Sequence, residues 1–215
     1  MELWGMRSAY PADKLMEGAR RHGLDWCRQA MRRCAETDLA MKSVSGADAK
    51  ELLASLPADL SAERREIIET ACQLVGKVNY FWGGKSLVLG WDSRWGTTMQ
   101  VTAPGSSSSG TYRPYGMDCS GYVDWVFYNA TGGEYIIGHG GGASAQHTYC
   151  TTISWDEALP GDLVFYPEDS HVGIVGGRDE SGNLLIIHCA SSSDNVVVTG
   201  KIGFTMIGRP RCFTE

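Results

Sequence analysis

The chain has 215 residues, of which 43% are hydrophobic and 20% charged, a composition typical of a globular protein with one full domain and a smaller unit. No apolar run approaches the ~18 residues of a membrane span, and the first residues lack the basic start and apolar core of a signal peptide, so we expect neither feature in this chain. The net charge of −6 lies wholly in residues 78–215, where 7 Lys and Arg face 13 Asp and Glu, whereas residues 1–77 hold 12 of each kind. This acidic second part argues against a nucleic-acid partner, because nucleic-acid affinity depends on basic residues.

Residues 1–60 are predicted to form a helical appendage. Between residues 13 and 57, apolar residues recur at helical spacing with arginines on the other faces, and Pro57 closes the segment. The string YPADKLMEGARRHGLDWCRQAMRRCAETDLAMKS within it resembles the C-terminal helical part of the delta subunit of bacterial DNA polymerase III, which there serves subunit assembly. The resemblance implies a docking module for a protein partner in residues 1–57, while the periodicity alone predicts a packed helical appendage.

Residues 61–215 are predicted to form one α+β domain. A helix is expected from the N-cap Ser61 to Gly76, and a second one from about Cys119 to Ala130. A Gly-, Ser- and Trp-rich stretch separates the two, and a polar loop, GHGGGAS, follows the second. Five runs suited to strands then alternate with turn signals: DLVFYP, HVGIVGG, NLLIIHCAS, NVVVTG and MIGRPRCF. Helices followed by an antiparallel run of strands are typical of the α+β class.

The seven cysteines indicate neither a disulfide scaffold nor a zinc ribbon, because they are odd in number, irregularly spaced and without a CxxC pair. Most are predicted to be reduced structural residues, namely Cys27, Cys34, Cys72, Cys189 and Cys212. A zinc site built from His139, His147 and Cys150 is an alternative, but its spacing fits no common ligand pattern. We therefore expect no metal.

Cys119 is the exception among the cysteines, because it opens a predicted helix directly after Asp118. Free backbone amides and the positive end of the helix dipole stabilise a thiolate, which is the nucleophilic form of cysteine. A thiol hydrolase also needs a base that is held by an orienting partner. His171 begins one strand and His188 ends the next, so a hairpin across DESGN would place the two rings side by side.

Four strings in order carry a family resemblance: GKVNYFWGGKS, DCSGYVDWVFY, LPGDLVFYPEDSHVGIVGG and LLIIHCAS. Over residues 61–212, about 70% of the chain, they resemble the motifs of the NlpC/P60 cysteine peptidases, which are cell-wall hydrolases of papain-like fold. The resemblance implies that Cys119 is the nucleophile, His171 the general base and His188 the residue that holds His171 in its tautomer, with the Tyr80 hydroxyl in the site. It implies an endopeptidase that cuts the stem peptide of peptidoglycan between D-γ-glutamate and the diamino acid, without a metal or organic cofactor.

Two features of this predicted site stay open. Asp118 and Ser120 flank the nucleophile, and they either bind a substrate amine or cap the helix. Lys85–Met117 is an insertion of 33 residues relative to simpler family members. It either rims the cleft and shapes specificity or covers an apolar edge.

Three other functions fit parts of the chain. The first is an amidase or acyltransferase on the same scaffold, the second a non-catalytic module that binds wall or a partner, and the third an assembly protein acting through residues 1–57. The intact Cys119, His171 and His188 favour an enzyme over a binding module. The location is open as well: extracellular or in the cell envelope if a leader is missing from this chain, and otherwise cytoplasmic.

Overall fold

The computed structural model of the protein describes residues 48–135 and 137–213. The predicted helices before residue 48, their resemblance to the delta subunit, and Cys27 and Cys34 lie outside the described residues. In the part of the chain that is described, no helix has both the length and the apolar character that a membrane crossing requires.

The first described segment, residues 48–54, is helical and contributes to the same apolar core as the residues after it. Ala49 and Leu52 are buried there. A Cβ atom at Gly176 would lie 2.6 Å from Leu52 Cδ1, so the helix approaches the sheet closely only because residue 176 is glycine. The predicted boundary between residues 60 and 61 stays a prediction.

The first fully described helix, α1, spans Ala62–Cys72. Ser61 caps it, as predicted, by accepting a hydrogen bond from the backbone N–H of Arg64 at 3.3 Å. The helix ends before the predicted Gly76, and turns cover the residues between. The chain leaves the helix early because the Gly76 N–H donates to the carbonyl of Val196 at 2.9 Å, which docks this turn on a strand.

The second helix, α2, spans Cys119–Ala130, which confirms the prediction, and Asp118 is its N-cap. A third helix, α3, spans Gly142–Thr148 and was not predicted, because its glycines indicated a loop. Ala143 and Gln146 of α3 are buried, so tertiary contacts outweigh the weak helix propensity of this segment.

The strands are β1 (Thr98–Gln100), β2 (Tyr112–Pro114), β3 (Cys150–Thr152), β4 (Leu163–Phe165), β5 (Val172–Arg178), β6 (Leu184–Ala190), β7 (Asn195–Gly200) and β8 (Met206–Pro210). Short 3-10 turns cover Trp155–Glu157 and Pro167–Asp169. Strands β1 and β2 pair with each other, and β3 to β8 form an antiparallel sheet in the order β3-β8-β4-β5-β6-β7. All five predicted strand runs are strands of this sheet, and the architecture is the predicted α+β class.

The sheet has an apolar cluster on each face, because alternate residues of a strand point to opposite sides. Ile187 and Cys189 belong to the larger cluster, which also contains the buried residues of α1 and α2. Ile186 belongs to the smaller cluster, together with Val175 and Phe204. His188 alternates with Cys189 and therefore lies on the side of Ile186 and Phe204.

A buried ionic contact ties α1 to the sheet. The Arg64 guanidinium donates to Asp162 Oδ1 at 3.0 Å and to the carbonyl of Pro160 at 2.8 Å. Arg209 of β8 donates to the same carboxylate at 3.2 Å from both Nε and Nη2. Asp162 of the LPGD string thus has a structural role, since it holds a helix and a strand together.

The insertion between residues 85 and 117 is partly buried and partly exposed. Trp95 is 7% exposed and lies between Trp91 and Trp125, with ring centroids 4.9 and 5.7 Å away. The indole N–H of Trp125 donates to the carbonyl of Gly90 at 3.3 Å, so the insertion is fastened to α2. Other apolar side chains of the insertion are exposed, namely Leu87, Val88, Leu89, Trp91, Met99 and Tyr112. The insertion therefore covers an apolar edge of α2, while its rim function stays a prediction.

Candidate active site

Cys119 occupies the first position of α2 and is 7% exposed. Burial raises the pKa of its thiol to about 11, and the negative charge of Asp118 adds to this. Hydrogen bonds from the backbone N–H groups of Val172 and Ser120, and the charge of Lys85, act in the opposite direction. The resting group at neutral pH is a thiol, so an attack on a carbonyl needs a base to take its proton.

His171 and His188 are brought together as predicted. Strands β5 and β6 pair antiparallel, and His171 Nε2 lies 2.7 Å from His188 Nδ1. The rings meet edge to face with centroids 4.9 Å apart. A Cβ atom on Gly173 would lie 3.2 Å from His188 Cβ and 3.2 Å from Phe204, so the absence of a side chain at residue 173 provides space for His188. The backbone N–H of Val172, the residue after His171, lowers the pKa of the Cys119 thiol, so the start of β5 lies near the nucleophile.

Both histidines are neutral at pH 7. Burial lowers the pKa of His171 to about 4, although the charge of Asp118 opposes this. Burial and then the charge of His171 lower the pKa of His188 to about 3. A neutral His171 can accept a proton, which is the state that a general base needs.

The chain of hydrogen bonds continues beyond the predicted residues. His188 Nε2 lies 2.9 Å from Thr199 Oγ1, and the Thr199 hydroxyl donates to the carbonyl of Gly200 at 3.1 Å. Thr199 was not predicted, because its contact depends on the register of β6 and β7. Alternation along the NVVVTG run would have limited the candidates to one face of that strand.

Tyr80 is half-buried at the same site. Burial raises the pKa of its hydroxyl well above its usual value, and the charges of Cys119 and Asp118 add to this. Its backbone N–H donates to Asp194 Oδ1 at 3.1 Å, and Tyr80 forms a bridge with Met117 close to the nucleophile. The phenol is therefore a neutral donor near Cys119. Asp194, which was not predicted, anchors its backbone.

Asp118 and Ser120 belong to a network with Lys85. Asp118 Oδ1 accepts from the Gly121 N–H at 2.6 Å, from the Ser120 hydroxyl at 2.9 Å and from Lys85 Nζ at 3.1 Å. Asp118 Oδ2 accepts from the Gly83 N–H at 3.2 Å, and Lys85 Nζ also donates to Ser120 Oγ at 2.5 Å. The carboxylate thus caps the helix and already binds an internal ammonium group.

A second polar cluster joins the first turns of α2 to Gln146 of α3 and to Tyr135. The Gln146 amide donates to the carbonyl of Ser120 at 2.7 Å and to Asp124 Oδ1 at 2.8 Å. The Tyr135 hydroxyl donates to Asp124 Oδ2 at 2.9 Å, and burial raises the pKa of Asp124. These contacts fix α3 against the helix that carries the nucleophile.

The three residues of the alternative zinc site, His139, His147 and Cys150, each contact different partners. His147 Nδ1 lies 2.8 Å from Asp169 Oδ1, and the His139 ring packs between Tyr135 and Tyr149. The Cys150 thiol donates to the carbonyl of Gln146. Among the described residues, no group of three or more His, Cys, Asp or Glu side chains is arranged to hold a metal ion.

Comparison with protein families gives one match. A protein-family model described as the NlpC/P60 family matches residues 76–201, which contain Cys119, His171 and His188. No curated protein matches the chain.

Several solved structures are similar. The peptidoglycan hydrolase RipB from Mycobacterium tuberculosis is 22% identical, with 97% of this chain and 95% of that chain covered and a TM-score of 0.50. The P60 domain of an antigen from Mycobacterium avium subspecies paratuberculosis is 24% identical, with 68% and 93% covered and a TM-score of 0.48. RipD from M. tuberculosis, described as a non-catalytic NlpC/p60 domain protein adapted to peptidoglycan binding, is 16% identical, with 70% and 98% covered and a TM-score of 0.48. The likeness to RipB shows the fold.

Proposed function

The chain belongs to the NlpC/P60 family, and on that basis we propose that it is a cysteine endopeptidase acting on the stem peptide of bacterial peptidoglycan. The proposed bond is the amide between D-γ-glutamate and the diamino acid. The observation that carries the proposal is the hydrogen bond of 2.7 Å between His171 Nε2 and His188 Nδ1, next to a cysteine at a helix start.

The proposed reaction begins with the thiol of Cys119. Its sulfur attacks the carbonyl carbon while its proton passes to His171. The negative charge that develops on the carbonyl oxygen is stabilised by the backbone N–H of Cys119 and by the Tyr80 hydroxyl, which is a neutral donor. His171 then gives the proton to the leaving amine, and the C–N bond breaks to leave a thioester.

The second half of the reaction removes the thioester. His171, neutral again, takes a proton from water, and the resulting hydroxide equivalent attacks the thioester carbonyl. The C–S bond breaks, the peptide leaves with a free carboxyl group, and Cys119 regains its proton from His171. His188 remains hydrogen-bonded to His171 throughout and orients its ring.

The contacts of Asp118 support a role in the helix cap rather than in recognition of a substrate amine. Both carboxylate oxygens have donors, and one of these is the ammonium group of Lys85. Asp118 and Ser120 therefore affect the reaction by fixing the first turn of α2, and Asp118 also places a negative charge beside Cys119.

Digestion of a defined muropeptide tests the proposed reaction. We expect two products, one ending in the free carboxyl of D-γ-glutamate and one beginning with the free amine of the diamino acid, and mass spectrometry identifies both. A cut at another peptide bond would assign an endopeptidase of different specificity, release of the whole peptide from the sugar an amidase, and joined peptides an acyltransferase. Peptide that is bound but never cut by folded protein would assign a non-catalytic module.

The docking role of residues 1–57 is a separate proposal, supported by the sequence alone. A pull-down that compares the full chain with a chain beginning at residue 45 tests it, since this truncation keeps the buried Ala49 and Leu52. A partner retained equally by both chains would contradict a docking role of residues 1–44 and would leave residues 45–57 as the only part of the proposed module that could bind it.

A further inference from the structure

A row of polar side chains crosses three strands on one face of the sheet. His171 precedes β5, His188 lies on β6, and Thr199 lies on β7. His188 is paired with Val197, so Thr199, two residues further, is its diagonal neighbour on the same face. The Nε2–Nδ1 distance between the histidines is 2.7 Å and the Nε2–Oγ1 distance to Thr199 is 2.9 Å.

The direction of each hydrogen bond in this row follows from its far end. The Thr199 hydroxyl oxygen lies 3.1 Å from the carbonyl oxygen of Gly200, which can only accept, so a hydroxyl that donates there accepts from His188 Nε2. A neutral imidazole carries one N–H, and His188 Nδ1 is then an acceptor. His171 must therefore donate from Nε2, and its Nδ1 is left without a proton.

The opposite direction would disable the base. If Thr199 donated to His188 Nε2, the proton of His188 would lie on Nδ1 and would point at His171 Nε2. His171 would then carry its own proton on Nδ1, and its basic nitrogen would already be occupied by His188. The orientation of one hydroxyl group thus selects between a His171 that can take a proton from Cys119 and one that cannot.

We propose that Thr199 is a positioning residue that fixes the tautomers of His188 and His171, and so leaves His171 Nδ1 as the proton acceptor for Cys119. Its effect on turnover rests on the proposed function. The tautomers themselves do not, since they are a property of the resting protein.

Two variants and one control separate this role from a general structural one. Thr199→Ser keeps the hydroxyl, while Thr199→Val keeps the shape and removes it. Thr151→Val makes the same change at an exposed position of β3 in the same sheet. Circular dichroism checks the fold of each.

The test is a two-bond ¹H–¹⁵N correlation spectrum of the histidine side chains at pH 7, assigned with the variants His171→Asn and His188→Asn. We expect the proton on Nε2 of both histidines in the wild type, in Thr199→Ser and in Thr151→Val, and mixed tautomers in Thr199→Val. A wild type with the proton on Nδ1 of either ring overturns the proposal even if Thr199→Val does not fold. Unchanged tautomers in a folded Thr199→Val overturn it as well.

Turnover of the muropeptide supplies the second readout. We expect kcat to fall roughly fivefold to tenfold in Thr199→Val, with KM unchanged and with Thr199→Ser close to wild type. A raised KM with unchanged kcat would contradict the assignment. If the wild type shows the expected tautomers but cuts no peptide, the proposed function fails and the tautomer assignment stands.

Discussion

At the scale of single residues, the nucleophile lies between opposing charges. Burial and Asp118 raise the pKa of the Cys119 thiol to about 11, whereas Lys85 lowers it. Lys85 Nζ lies 3.1 Å from Asp118 Oδ1, so it also neutralises the carboxylate that disfavours the thiolate. The ion pair therefore offsets part of the rise in the pKa of the thiol.

Replacing Lys85 with Met is expected to raise the pKa of Cys119 further, because it removes the positive charge of Lys85 and leaves the negative charge of Asp118. The rate of alkylation of Cys119 by iodoacetamide should fall roughly threefold to tenfold at pH 8. The measurement is a pH profile of alkylation with peptide mapping, in a Cys212→Ser background because Cys212 is exposed. Lys77→Met, at an exposed lysine, is the matched control. An unchanged profile in Lys85→Met would show that the pair does not act on the thiol.

The two histidines should differ in how much damage their loss causes. His171→Ala removes the base, and we expect kcat/KM to fall by about 10³ or more. His188→Asn retains an amide that can accept from His171 and donate to Thr199, so it should keep measurable activity, while His188→Ala should lose more. Turnover of one muropeptide ranks the three. A His188→Asn variant as inactive as His171→Ala, or an active His171→Ala, would require the roles to be exchanged or abandoned.

The central residues could be predicted because each stands in a local string with a chemical reason. Cys119 follows a cap residue, His171 directly precedes β5, and His188 lies on β6, the next strand. Thr199 and Lys85 could not be predicted, since their roles depend on strand register and on where an insertion folds back. Alternation limits the candidates on β7 to one face, but only the pairing of β6 with β7 selects Thr199, and the contact of Lys85 with Asp118 joins residues 33 positions apart.

At the scale of elements, the insertion acts as part of the core as well as part of the surface. Trp95 is enclosed between Trp91 and Trp125, while Trp91 is 55% exposed. Deleting residues 86–113 would therefore remove a buried tryptophan together with the exposed aromatic surface. Single substitutions separate the two roles.

Trp95→Ala should lower the free energy of unfolding by about 3–5 kcal/mol, because it leaves a cavity against α2. Trp91→Ala should change it by less than about 1 kcal/mol and, if the insertion rims the cleft, should raise KM without lowering kcat. Urea denaturation and steady-state kinetics measure the two effects. Equal destabilisation by both variants would contradict the division between core and surface.

The buried apolar elements followed from the sequence, whereas the exposed strands and the glycine-rich helix did not. Helix α2 and the strands β4 to β8 have strong apolar patterns, and their burial agrees with them. Strands β1, β2 and β3 have three residues each and are mostly exposed, so they carry little pattern. Helix α3 begins among glycines and is held in place by tertiary hydrogen bonds from Gln146 to Ser120 and Asp124.

At the scale of the whole molecule, the neutral histidines link stability to pH. Their pKa values, about 4 for His171 and about 3 for His188, lie below the usual value near 6.5, so the unfolded chain binds more protons below pH 6.5. The contribution of the two neutral histidines to the free energy of unfolding is therefore complete above pH 6.5 and is lost as the pH falls towards 4.

We expect the free energy of unfolding to fall by about 2 kcal/mol for each of the two histidines when the pH is lowered from 7 to 5. His188→Asn should flatten the loss by about that amount, which urea denaturation at a series of pH values would detect. Asp92, whose pKa is lowered to about 2 by its hydrogen bonds from Arg94, contributes only at lower pH. Asp124, whose pKa is raised by burial, acts in the opposite direction, so the comparison with His188→Asn isolates the histidine. The same change in stability between pH 7 and pH 5 in the wild type and in His188→Asn would show that His188 is not buried as a neutral group.

The most direct test of the account is the turnover of a stem-peptide muropeptide by the wild type, by Cys119→Ala and by the control Cys212→Ala at pH 7. We predict cleavage by the wild type and by Cys212→Ala, and a loss of at least about 10³ in Cys119→Ala with its fold intact. Cleavage by Cys119→Ala at the wild-type rate, or a folded wild type that binds the peptide and never cuts it, would contradict the account.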